Sequence, residues 1–146
     1  MIDSKDKKII EELVRDSRQT TSQLGKKLNI PITTIHNRIK KLVKEGVIIN
    51  YTVNLNHNLI GMPIPAYVNI TINHNIPGRK VNQTEIANKL KKIDGVYGVS
   101  MLTGGSDILV KVLAKDITEL NALVTEKLRS IEGIDKTQTS IVLKEF

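Results

Sequence analysis

Between Asn29 and Ile48 the chain reads NIPITTIHNRIKKLVKEGVI, and its polar residues are of the kinds that bond to nucleic acid. Thr33, Thr34, Asn37, Lys40, Lys41 and Lys44 supply hydroxyl, amide and ammonium groups, with no acid before Glu45. A carboxamide such as Asn37 can pair with the edge of adenine. A threonine can bond a base edge or pack on a thymine methyl in the major groove. Ammonium groups contact phosphate, which positions a protein on a duplex without reading its sequence. Two further residues of the stretch have two readings each. Arg38 is either a phosphate ligand or half of a structural salt bridge. His36 either touches base or phosphate, or packs partly buried.

Such groups need a rigid support, and the spacing supplies one. Ile32, Ile35, Ile39, Leu42 and Val43 form one stripe of an amphipathic helix, with Gly46 just past its end. The direction opposite the stripe centres on Asn37, with Thr33 and Lys44 to one side and Thr34 and Lys41 to the other. Two earlier helices can carry this one. Asp3 can cap the first, which runs to about Arg15 with Ile9, Ile10 and Leu13 inward. Thr20 and Gln23 have the spacing of a capping box for a short second helix, in which Leu24 and Leu28 form an i, i+4 pair. Gly25 costs that helix roughly 1 kcal/mol relative to Ala, a loss that close contact with the next helix would explain. Lys26 and Lys27 either touch a nucleic-acid backbone or are simply solvated. Three helices, a tight second connection made by LNIP, and a basic polar third helix predict a helix-turn-helix domain. GVIINYTVNL then predicts a β-rich wing or linking strand.

The charge distribution agrees. The 146 residues carry a net charge of +7. Residues 1–60 hold 11 Lys and Arg against 6 Asp and Glu, an excess of five, and no acid occurs from Ser17 through Lys44. Clustered positive charge fits a polyanionic partner. The chain has one Phe, three Tyr and no Trp, which argues against single-strand binding through stacked bases. The absence of Cys removes disulfides and thiolate chemistry. His36, His57 and His74 have no ligand spacing, so neither metal nor cofactor is expected. No nucleophile with an activating base suggests an enzyme. No apolar run has the length of a membrane span and MIDSKDKKII has no secretory core, so a soluble cytoplasmic protein is expected.

The helical pattern lapses at NLNHNLIGMP, which reads as a hinge. The expected division is 1–53 for the helix-turn-helix domain, 54–63 for the hinge and 64–146 for a second domain. There the period becomes two: Ala66, Val68, Ile70 and Ile72 alternate with Tyr67, Asn69, Thr71 and Asn73. KLKKIDGV and KLRSIEGI repeat at an offset of 38 residues, each ending a helix, placing Gly at the turn and starting a strand. VYGVSMLTG and SDILVKVLAK read as strands joined by a Gly turn, and DKTQTSIVLKEF as the last strand. The resulting order, βαββαβ, predicts an α+β chain whose second domain is a ferredoxin-like sandwich, with both helices on one face of an antiparallel sheet. The other face needs a cover, and a second copy of the domain is the economical candidate.

Asp6 and Ile9 in the first helix, SRQTTSQLGKKLNIPITTIHNRIKKLVKEGVIINYTVNLN, LTGGSD and TSIVLKEF together resemble the leucine-responsive regulatory protein family, also called Lrp/AsnC or feast/famine regulators. Within RIKKLVKEGVI, Arg38 matches the family's arginine. The departures are Gly25 where Ala is usual, Pro31 where a Ser caps the recognition helix, and Ser106 where many members have an aromatic. The resemblance implies a transcription regulator that binds double-stranded promoter DNA as a homodimer, assembles further to an octamer, and responds to an amino acid. For that effector it points to Thr103, Gly104, Gly105 and Asp107, and more weakly to Thr137 and Thr139. Physically, a Gly pair leaves backbone amides open to a carboxylate, and Asp107 can face an α-ammonium. The plainer alternative is that Gly104 and Gly105 turn the chain and Asp107 caps the turn. Two rival functions remain at this point. One is an architectural DNA-binding protein without effector; the other is a ferredoxin-like metabolic enzyme subunit.

Overall fold

The computed structural model describes residues 1–78 and 80–145. The chain forms two compact units, Met1–Asn54 and a second from Leu55 onward.

The first unit is three helices: α1 (Ser4–Arg15), α2 (Thr21–Leu28) and α3 (Ile32–Lys44). The sequence dictates their starts. Asp3 caps α1 in a reciprocal box with Asp6, and Thr20 caps α2 in a box with Gln23. Each box satisfies backbone amides that the first turn leaves without partners. Asn29 ends α2 in the left-handed conformation, φ 53°, and Pro31 precedes α3 without a side-chain cap. The tightness of this turn explains Gly25, because a Cβ there would lie 2.9 Å from the Ile30 carbonyl oxygen. Ile9, Leu13, Leu24, Ile30 and Ile35 form the core, with Leu28, Ile39 and Ile48 packed against it.

Two expectations are corrected here. Of the predicted stripe on α3, Ile35 and Leu42 are buried and Ile39 is half-buried, whereas Ile32 and Val43 are about half exposed. A 13-residue helix lying on two short ones has only a narrow contact line to bury. The stretch GVIINYTVNL forms no strand either. Its period-two side chains Val47, Ile49, Tyr51, Val53 and Leu55 are exposed. A strand needs a neighbouring ladder, and the described residues offer none.

The second unit is the predicted βαββαβ sandwich. Its elements are β1 (Ile64–Ile72), α4 (Gln83–Leu90), β2 (Val96–Met101), β3 (Ile108–Ala114), α5 (Ile117–Ala122) and β4 (Ile134–Ile141). A π-helical turn, Leu123–Leu128, continues α5. The sheet order is β2-β3-β1-β4, and every pairing is antiparallel. Ala66, Val68, Ile70 and Ile72 of β1 and Ile108, Val110, Val112 and Ala114 of β3 turn inward onto Ile86 and Leu90 of α4 and Leu120, Leu123 and Leu128 of the second helix. The internal repeat has a packing reason. Gly133 (φ 100°) ends the second copy in a conformation that other residues rarely adopt, and a Cβ there would also push on Ile86 Cδ1 at 2.9 Å. The alternate positions give the other sheet face a mixed character, with Asn69, Thr71, Lys111, Gln138 and Ser140 beside Pro65, Tyr67, Leu109 and Leu113.

Candidate nucleic-acid interface

The outer side of α3 is what the spacing predicts. Thr33, His36, Asn37, Lys40, Lys41 and Lys44 are exposed, and Thr34 is half-buried at the flank. Lys26, Lys40 and Lys44 make no ion pair among the described residues. Lys41 lies 3.9 Å from Glu45 one turn on, a loose surface contact.

Two of the predicted contacts are engaged elsewhere. Lys27 Nζ meets Glu12 Oε2 at 3.0 Å, tying α2 to α1. Arg38 is held more firmly. Its Nη1 donates to Asp3 Oδ2 at 2.6 Å and to Asp6 Oδ1 at 2.8 Å. The remaining oxygens are also used: Asp3 Oδ1 accepts from the Asp6 amide at 2.9 Å, and Asp6 Oδ2 from the Asp3 amide at 3.1 Å. Of the two readings of Arg38, this geometry is the salt bridge. Sequence spacing missed it because the partners lie 35 and 32 positions away. The signal was present in Asp3-x-x-Asp6, a capping box with acids at both ends, which leaves two outer oxygens needing a cation.

Hydrogen bonding depresses these carboxyls. The Asp6 amide, then the Arg38 guanidinium, hold Asp3 at about 2 from the usual 3.8. Asp6 is lowered by the Asp3 amide and then by Arg38, and Glu12 chiefly by Lys27. The unfolded chain therefore binds protons first as pH falls. The stabilisation is complete above the ordinary carboxyl range and is lost as pH drops through the folded values, toward about 2 for Asp3. Denaturant melts of residues 1–54 at stepped pH should show stability falling below about pH 4. Asp3→Asn should flatten that fall.

Gly104 (φ 122°) and Gly105 turn the chain between β2 and β3, as the plainer reading has it, but Asp107 does not cap that turn. Thr103, Gly104 and Gly105 are exposed, and a Cβ on either glycine would meet nothing within 4 Å. Asp107 is not aimed into the turn. Its Oδ2 accepts from the Ile72 amide at 2.7 Å and its Oδ1 from Gln83 Nε2 at 3.3 Å, with His74 Nε2 at 3.7 Å. It fastens the β2–β3 hairpin to the end of β1. Thr137 is half-buried and accepts from Arg129 Nε at 2.7 Å, and Thr139 is exposed. Both lie on edge strand β4, two strands from β3, which is about 10 Å across the ladder. One chain thus does not gather the six predicted effector residues into one site. Asp107→Ala strands a partly buried amide, so the second unit should lose about 1–3 kcal/mol, read by urea unfolding.

Residues 65–146 match the family profile of the Lrp/AsnC ligand binding domain, and residues 2–49 match that of a winged helix-turn-helix DNA-binding domain. The chain belongs to the Lrp/AsnC family. An uncharacterized HTH-type transcriptional regulator of Pyrococcus furiosus is 39% identical over 97% of this chain and 92% of the relative. Another from Pyrococcus abyssi is 40% identical over 99% and 93%. Among solved structures, a transcriptional regulator of Neisseria meningitidis in complex with L-Met is similar with a TM-score of 0.87 at 25% identity, covering 99% of this chain and 92% of that one. AsnC of Escherichia coli aligns with a TM-score of 0.81 at 26% identity, covering 99% and 94%. This Lrp/AsnC regulator therefore joins a DNA-binding helix-turn-helix to a ligand-binding domain, and it is a transcription regulator. No helix among the described residues is long and apolar enough to cross a membrane.

Proposed function

We propose that this Lrp/AsnC regulator reads a specific duplex through the exposed face of α3 and adjusts its occupancy in response to an amino acid. The observation carrying the first part is that face: Thr33, His36 and Asn37 stand beside Lys40 and Lys44 on a helix that presents no acid before Glu45. Thr33, Thr34, His36 and Asn37 contact bases, and Lys40, Lys41, Lys44 and Lys26 contact phosphates. Lys27 reaches phosphate by leaving Glu12. The amino-acid effector is supported by the ligand-binding family of residues 65–146 and by the L-Met complex of the Neisseria meningitidis regulator. The separation of the LTGGSD turn from Thr137 and Thr139 favours a pocket completed by a second chain. Footprinting across the gene's own promoter region, with and without each amino acid, tests both parts. A uniform footprint on any sequence would instead make the protein architectural.

A homodimer that assembles to an octamer suits this function, since paired recognition helices read paired half-sites. The exposed apolar alternation from Val47 to Leu55 supports self-pairing, because a segment of strand-like pattern without a ladder finds its complement in its own copy. Sedimentation of the intact chain should give a dimer or a multiple of it, and a monomer at micromolar concentration would remove this assignment. The boundary between the domains is placed at 54–63. First cuts by limited proteolysis are expected inside it.

A further inference from the structure

We propose that Arg38 is a positioning residue for DNA recognition, clamped by Asp3 and Asp6 so that α3 is fixed in rotation about its own axis. The proposal rests on the reading of α3 as the groove-reading helix. Apolar burial alone fixes that rotation weakly. Contact between aliphatic side chains is non-directional, and α3 fully buries only Ile35 and Leu42, with Ile32 and Val43 left about half exposed. A helix with its side chains has a radius of about 5–6 Å, so a roll of about 20° moves an outer side chain by roughly 2 Å. That displacement breaks a hydrogen bond to a base edge.

Arg38 supplies the missing direction. Both hydrogens of Nη1 are used, one to each carboxylate, and each carboxylate is fixed in turn by the backbone amide of the other. The Asp6 side chain is 4% exposed and cannot swing away, and that of Arg38 is 25% exposed. The anchor at Arg38 is adjacent in the chain to the reader at Asn37, so the first turn of α1 sets where the Asn37 amide points. The same geometry withdraws Arg38 from the phosphate contacts, because its charge already faces two carboxylates.

The test uses the intact protein, wild type and with Asp3→Asn or Arg38→Gln. Each is titrated at several salt concentrations against the duplex footprinted in its own promoter region and against a scrambled duplex. Asp3→Asn is the decisive variant because asparagine is as good an N-cap as aspartate, so the fold is kept while a donor is turned on Arg38. Removing an acid near DNA should by electrostatics alone tighten binding to both duplexes. Positioning gives the opposite sign on the specific one: its affinity falls about tenfold, the cost of one charge-assisted bond, while scrambled affinity holds or rises. Arg38→Gln should lose the same discrimination with an unchanged salt slope. Tighter or unaltered specific binding by Asp3→Asn overturns the proposal. So does a slope reduced by about one for Arg38→Gln on both duplexes, which marks a phosphate ligand. Absence of discrimination in the wild type would instead overturn the groove-reading role of α3, and the clamp's role with it.

Discussion

Asn37→Ala should weaken binding to the specific duplex by about 1–3 kcal/mol, roughly ten- to hundredfold, and leave scrambled DNA nearly unaffected. Asn37 is exposed at the centre of the outward face of α3, and its removal leaves the buried side of the helix untouched. Nothing in the fold depends on it, so the loss isolates base readout. A carboxamide offers one donor and one acceptor to a base edge, and alanine offers neither. Anisotropy titrations on both duplexes at one salt concentration are sufficient. Equal losses on the two duplexes would move Asn37 from base readout to phosphate or water contact.

Ile35→Ala should have the largest effect of any single change in the helix-turn-helix. Ile35 is fully buried and packs with Ile9, Leu13, Leu24 and Ile30. Truncating such a side chain costs about 2–5 kcal/mol, from lost transfer energy and the cavity left behind. A unit of this size has only about 3–8 kcal/mol of stability in all, at roughly 0.05–0.15 kcal/mol per residue. At mid-range values the first unit keeps only about 2 kcal/mol, so it should unfold at far milder conditions than wild type. Where it unfolds, affinity for every duplex should fall together, because the unfolded helix reads nothing. Urea unfolding followed by circular dichroism should show the transition of residues 1–54 displaced to low denaturant. A variant as stable as wild type would show that the core closes over the gap.

Much of this protein was decided locally and was therefore legible in its residues. The capping boxes at Asp3 and Thr20 join groups three positions apart, and helical periodicity exposes Asn37 and buries Ile35 through backbone geometry alone. The alternation from Ala66 to Ile72 and the repeated Gly95 and Gly133 turns, 38 residues apart, set the βαββαβ order for the same reason. What the tertiary structure decided lies in pairings across long loops. Arg38 could have faced phosphate or carboxylate, and the choice depended on where α1 comes to rest against α3. The partner of Asp107 within the chain was equally open, and it is the Ile72 amide 35 positions away. The alternating run from Val47 to Leu55 has the composition of a strand yet forms none, because strand formation is a property of two segments and the described residues supply only one. A residue's type and spacing determine what it can bond to and which face it occupies. Which partner it finds is set by packing between segments distant in sequence, and only the folded chain brings those together.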